Sequence, residues 1–257
     1  MSYEKEIDED VKNSVINELM TKAIESNSAE AVRFFLENGV AFYEIDQDGV
    51  SFFIRCIEKE NIDMVKAFVN TGKIQVNRYY NDLYIRATPL TVAAHCDNIE
   101  IAELLICSGA EVNIKEIDGY LLTPLIAALA SDKREMYDFL LENGADIDFS
   151  FYELIKGSEL ISESKTSEIA ETLLKHGADP NSEDEFGTPV LSVAITSYQF
   201  GIVNLLIKYG ADINAKDEDG KTAREEIIDS IKKYETYQDD PDYENILKLI
   251  ENNFQQD

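Results

Sequence analysis

Apolar and polar positions along this chain fall into short helical blocks rather than one sustained period. Met64-Val65-Lys66-Ala67-Phe68-Val69 and Ile99-Glu100-Ile101-Ala102-Glu103-Leu104-Leu105-Ile106 place apolar residues three and four apart, and Leu90-Thr91-Val92-Ala93-Ala94 forms a smaller block just upstream. Each block is too short to be a stable helix alone and too apolar to stay exposed, so the pattern predicts helices that fold in pairs. The pairs end in a recurring phrase: Gly109-Ala110-Glu111-Val112-Asn113, Gly144-Ala145-Asp146-Ile147-Asp148, Gly177-Ala178-Asp179-Pro180-Asn181 and Gly210-Ala211-Asp212-Ile213-Asn214. These glycines lie 35, 33 and 33 residues apart. Such a period marks a stack of units, each burying its apolar face on its neighbours.

A second phrase keeps the same register, namely Thr88-Pro89-Leu90, Thr123-Pro124-Leu125 and Thr188-Pro189-Val190. Each Thr-Pro predicts a helix start: the hydroxyl accepts from an orphan N–H, and proline gives up an N–H that had no partner. Each glycine predicts the stop. Thr-Pro-Leu, a small Ala-Ala pair, Leu-Leu and then Gly-Ala-Asp-Ile-Asn on this period resemble the ankyrin repeat. The resemblance implies an all-α fold with short β-hairpin loops, an ankyrin-type α-solenoid of about seven stacked helix-turn-helix repeats. One departure is the histidine that usually follows Thr-Pro-Leu; Thr91 and Ile126 stand there, and Leu191 or Ser192 in the third case. That histidine helps to tie the hairpin, so its loss implies a looser hold on some turns.

Carried along the chain, the register predicts a single solenoid over 1–257 with repeats at 11–44, 45–77, 78–114, 115–148, 149–181, 182–215 and 216–254. The first and last act as caps. Gly39 and Gly72 extend the beat backwards, but Gly72 to Gly109 spans 37 residues, and the surplus predicts an enlarged hairpin over 78–86. Leu121-Leu122 is a smaller excess in a turn. No Thr-Pro opens the unit ending at Gly177, so an irregular first helix is expected near Phe151–Ser158. A polar insertion around Pro241 precedes a terminal cap helix at Ile246–Ile250.

Charge is the second clue, because 23 basic against 51 acidic side chains leave a formal −28. Phosphate backbones require a clustered basic face, and here basic residues are scattered among carboxylates, which argues against nucleic acid. A body of this charge attracts basic proteins, although solubility is a sufficient reason for it. No apolar run approaches the ~18 residues of a membrane span, and the acidic N-terminus is unlike a secretory signal. The expectation is a cytoplasmic protein, with a non-classical export route left open, that contacts no membrane and is monomeric by itself. Cys56, Cys96 and Cys107 show no metal-site spacing and predict small buried apolar side chains. With two histidines, no nucleophile-base arrangement and no phosphate loop, no catalytic, metal or cofactor site is predicted. His176 suits a helix C-terminus.

In an ankyrin-like stack, hairpin tips and first-helix ends line one concave side. The register puts Glu25-Ser26, Glu58-Lys59, His95-Cys96, Ala130-Ser131, Glu163-Ser164 and Thr196-Ser197 at helix ends. The candidate protein-binding residues drawn from these rows are Asp46, Asp48, Glu58, Tyr79, Tyr80, Asp82, Tyr84, Arg86, His95, Glu116, Asp118, Tyr120, Asp184, Glu185, Phe186, Asp217 and Glu218. Acids and aromatics alternate among them, and aromatics supply contact area at small entropic cost. Tyr79 and Tyr80 could equally pack the enlarged hairpin. The function expected is a non-enzymatic scaffold binding a basic partner protein. Alternatives are an immunity or inhibitor protein for a basic toxin enzyme, or a translocated microbial effector binding a host protein.

Overall fold

The computed structural model describes residues 9–38, 50–81, 86–114, 123–156, 163–184, 186–233 and 248, with side chains undescribed at 9–13, 81, 86, 156, 163 and 230–233. The expectations for Gly39, Leu121-Leu122, Gly157, the insertion at Pro241 and the cap at Ile246–Ile250 lie outside these residues. The chain divides into two units, Met1–Ile114 with Leu122–Gly144, and Lys115–Leu121 with Ala145–Asp257.

In the first unit, first helices α1 (Glu9–Glu25), α3 (Phe52–Glu58), α5 (Pro89–His95) and α7 (Pro124–Ala130) alternate with second helices α2 (Ala29–Glu37), α4 (Ile62–Val69), α6 (Ile99–Cys107) and α8 (Arg134–Glu142). The first helices pack in the order α1, α3, α5, α7, and α2, α4 and α6 form a second layer. First helices are covered by neighbours and by the second layer, which is why Phe52, Phe53, Ile54, Cys56 and Ile57 of α3 are all buried. The small Ala93, Ala94, Ala127 and Ala128 allow α5 and α7 to approach closely.

Thr88 and Thr123 cap as expected, their hydroxyls accepting from Thr91 N–H and Ile126 N–H at 3.2 Å. The Thr91 hydroxyl also lies 3.0 Å from that of Thr88, so it supplies a local tie where the family histidine is missing. In the span of the expected enlarged hairpin, β1 (Tyr80–Asn81) pairs antiparallel with β2 (Arg86–Ala87), and residues 82–85 between them lie outside the described residues.

The second unit contains α9 (Ile147–Lys156), α10 (Glu163–Lys175), α11 (Val190–Thr196), α12 (Phe200–Lys208) and α13 (Ala223–Lys233). Helices α9, α11 and α13 pack as one layer, and α10 packs on α12 as the other. Two expectations are corrected here. Rather than an irregular first helix near Phe151, α9 is a continuous ten-residue helix that starts directly after Gly144-Ala145-Asp146, with the Asp146 carboxylate accepting from Phe149 N–H at 3.0 Å. A carboxylate cap replaces the missing Thr-Pro. Glu163 and Ser164 consequently open α10 instead of ending a first helix. At Thr188-Pro189 the N-cap is Pro189, with no side-chain cap bond.

The last residue of the repeated phrase ties repeat to repeat. Asn77 Nδ2 donates to Gly109 O at 3.0 Å while its Oδ1 accepts from Glu111 N–H at 2.8 Å. Asn181 does the same in the second unit, reaching Gly210 O at 3.4 Å and Asp212 N–H at 2.6 Å. Asn113 donates to Gly144 O, and Asp148, which has no amide to donate, only accepts from Asp179 N–H. The phrase therefore carries its own inter-repeat staple.

Among the described residues five non-glycine positions sit in the left-handed region, Asn27, Glu60, Asp97, Asp132 and Tyr198, with φ between 54° and 62°. Each follows a first helix, and none was signalled by the glycine pattern. A side chain there costs about 1–2 kcal/mol, asparagine and aspartate least. Glu60→Gly is accordingly expected to stabilise the first unit by about 0.5–1 kcal/mol, and Asn27→Gly by less. Thermal unfolding of the two variants checks this; a lower midpoint for Glu60→Gly would count against strain at that turn.

Candidate functional site

The helix ends of the first unit fall where the register put them: α1 stops at Glu25, α3 at Glu58, α5 at His95 and α7 at Ala130. Short polar bonds link successive turns. Asn61 Nδ2 donates to Asn27 Oδ1 at 2.8 Å, His95 Nδ1 lies 2.7 Å from Ser131 Oγ, and Lys133 pairs with Asp97 at 3.8 Å. Exposed Glu25, Glu60, Asp97 and Asp132 stand along this edge, while the half-buried Glu58 is paired with Arg55 at 3.1 Å. Burial pushes the Cys96 thiol up, the charges of Glu60 and Glu58 add to the rise, and Lys133 opposes it.

The tips divide differently. Tyr80 is 8% exposed and its ring centroid lies 6.5 Å from that of Phe53, with the Arg78 guanidinium 5.8 Å above it, so Tyr80 belongs to the hairpin's packing rather than to an open surface. Tyr79 is half-buried. Arg86 is described through its backbone pairing with Asn81. Asp46, Asp48, Asp82, Tyr84, Glu116, Asp118, Tyr120 and Glu185 lie outside the described residues.

In the second unit Phe186 is 73% exposed at a hairpin tip. Asp184 holds that tip: its Oδ1 accepts from Phe186 N–H and Thr188 N–H at 2.8 Å each, and its Oδ2 accepts from the Tyr152 hydroxyl at 3.3 Å. In the following repeat Asp217 takes the same role, accepting from Lys221 N–H at 2.7 Å, beside exposed Glu218. The sequence places both aspartates in hairpin turns as candidate binding residues; their four-residue offset from Thr188 and Lys221 was the available signal that each clamps its turn.

His176 ends α10 with its Nδ1 2.7 Å from Thr172 O, as a helix C-terminus suggests. Of the cysteines, Cys56 is buried and Cys96 half-buried, but Cys107 is exposed, against expectation, because it closes the outward side of α6. A cleft of about 320 Å³ between α2 and α4, lined by Arg33, Leu36, Glu37, Asn70 and Lys73 among others, shares no residue with the helix-end row. Among the described residues no group of three His, Cys, Asp or Glu could hold a metal ion, and no helix is long and apolar enough to cross a membrane.

The comparisons with known proteins agree with this architecture. The family model for ankyrin repeats in three copies matches residues 19–116 and 85–150, and that for ankyrin repeats in many copies matches 173–226. The chain is 26% identical over 129 residues to ankyrin repeat protein FPV034 of Fowlpox virus, covering 50% of this chain and 29% of that protein. It is 33% identical over 121 residues to protein phosphatase 1 regulatory subunit 12A of Rattus norvegicus, covering 46% and 11%. It thus spans well under half the length of either relative. The crystal structure of the ankyrin repeat domain of Bcl-3, a member of the IkappaB protein family, superposes with a TM-score of 0.52 at 22% identity, covering 81% of this chain and 92% of that one, which speaks for the fold alone. With the staple, the paired layers and family models over most of the described repeats, this chain belongs to the ankyrin-repeat family.

Proposed function

We propose that the chain is a non-enzymatic scaffold that binds a basic partner protein through its acidic helix ends and its hairpin tips. Ankyrin repeats generally mediate protein–protein interaction. The observation carrying the finer reading is Phe186, a large aromatic held out in solvent on a tip that Asp184 clamps from inside. An aromatic that collapse would bury, fixed instead in an exposed position, has the character of a preorganised anchor. The formal charge of −28 favours a basic surface and speeds encounter with it. A basic toxin enzyme neutralised by this surface, or a basic host protein held by a microbial effector, both fall in that charge class.

Affinity capture on the immobilised chain, followed by titration of the retained protein, tests the reading. The partner is expected to be basic, and Phe186→Ala is expected to weaken it by about 1–2 kcal/mol with the far-UV spectrum unchanged. Its association rate should fall steeply between low and physiological salt. An acidic partner, or one indifferent to both the substitution and salt, would refute the proposal.

A further inference from the structure

In the first unit α3, α5 and α7 each pack on the first helix before them, and α4 and α6 on the second helix before them; among the described residues α1 and α2 have no such predecessor. The difference shows position by position. Aligned on their last residues, α1, α3, α5 and α7 bring Leu19, Phe52, Pro89 and Pro124 into register, and the last three are buried while Leu19 is 44% exposed. Aligned on their first residues, α2, α4 and α6 match Ala31 with Met64 and Ile101, and Phe35 with Phe68 and Leu105. All four counterparts are buried, but Ala31 and Phe35 are only half-buried, and Phe34 beside them is 61% exposed where its counterpart Ala67 is buried. Because α1 and α2 do have a following pair, α3 and α4, the surface left bare is the one that later repeats turn toward the repeat before them.

Helical periodicity extends this surface. Val15, 50% exposed, lies on one stripe of α1 with Leu19, Lys22 and Ser26, and Ala31, Phe34, Phe35 and Asn38 lie on one stripe of α2 and its cap. Leu19 stands six residues before the end of α1 and Phe34 five after the start of α2, about 9 and 8 Å from the turn that joins them, so the stripes run side by side. The Phe34 and Phe35 rings meet edge to face at 5.8 Å. Neither stripe carries a carboxylate, on a chain that has 51, and the one charge, Lys22, is paired with Glu18. A terminal repeat keeps an array soluble through a polar outer face, and this outer face is apolar.

We propose that this end of the first unit is a self-association surface, on which a second copy of the chain lays the same two stripes about a two-fold axis. The contact continues the packing of helix pair on helix pair that buries Phe52, Met64 and Phe68 within the unit, with the copy's α1 and α2 in the place of a preceding repeat. Charge selects the occupant. A basic partner is drawn to carboxylates, which these stripes lack, whereas two acidic copies can close here without setting carboxylate against carboxylate. A self-complementary contact uses the face up in one step and stops at a dimer, in place of the monomer that charge alone suggests.

Sedimentation equilibrium of the full chain tests this without any partner, and so independently of the proposed function. Between about 1 and 100 μM protein the mass should climb from one chain toward two. Salt screens the repulsion between two bodies of charge −28 and leaves the apolar contact in place, so the dimer should tighten severalfold between about 0.1 and 0.5 M salt, the opposite of binding to a basic partner. Phe34→Ser enters the contact twice and should weaken the dimer at least about tenfold with the far-UV spectrum unchanged, since the ring is exposed. Phe186→Ser, which the partner reading predicts to weaken capture, should not move the dimer. A monomer throughout the range, a dimer that loosens with salt, one as tight in Phe34→Ser as in the wild type, or one loosened equally by Phe186→Ser would overturn the proposal.

Discussion

Phe53→Ala should cost about 3–5 kcal/mol, the largest single loss expected in the first unit. Phe53 is completely buried in α3, with its ring centroid 5.6 Å from that of Phe68 in α4 and 6.5 Å from that of Tyr80 in β1. It thus joins the two helices of one repeat and the hairpin of the next. Truncation removes its transfer free energy and leaves a cavity that three separate elements would have to close in upon. In a repeat array each unit is stable chiefly through its neighbours, so the damage should spread to β1 as well as α4. Urea denaturation measures the total, and hydrogen exchange shows where protection is lost. Phe53→Leu, which keeps most of the volume, should lose only about 1 kcal/mol. A loss below about 1 kcal/mol for the alanine variant would mean that the site collapses freely and that Phe53 is not the junction.

The second large effect is expected at Asp184. One carboxylate there accepts three hydrogen bonds, two from its own turn and one from Tyr152 in α9. Asp184→Ala should destabilise the second unit by about 2 kcal/mol, since bonds to a charged acceptor are stronger than neutral ones but this acceptor is partly exposed. Asp184→Asn retains one oxygen for the two turn amides and loses the bond from Tyr152, so about 1 kcal/mol is expected; Tyr152→Phe should match that remainder. Thermal unfolding of the three variants separates the turn from the cross-link. If alanine and asparagine cost the same, the charge and not the turn geometry is what stabilises the tip. Because the same clamp holds Phe186 outward, the alanine variant should also bind the partner more weakly.

Much of this was legible in the chain. The 33-residue register placed the first-helix ends at Glu58, His95 and Ala130, and the Thr-Pro pairs placed the starts of α5 and α7, because capping is local chemistry: a hydroxyl and a missing N–H act within a few positions. Where local signals failed, the substitute was of another residue type. Asp146 caps α9 in place of Thr-Pro, so a helix expected to be irregular for want of that pair is continuous.

The candidate site was less legible. Tyr80 and Phe186 look alike as hairpin aromatics, yet one is buried against Phe53 and the other stands in solvent. Nothing in their neighbours along the chain separates them, because burial depends on what an adjacent repeat brings across.

The sequence by itself determined the repeat, its period, the caps and the charge, since each of these is set by residues close together in the chain or by simple composition. Only the tertiary structure decided which acids face solvent and which are spent on holding the fold. Asp184 and Asp217 are bound into their own turns, Glu226 is buried, and Glu60 is held in a strained turn at the rim. The reason is physical: a carboxylate's state follows from its desolvation and its donors, and both can be supplied by residues about thirty positions away as well as by its neighbours.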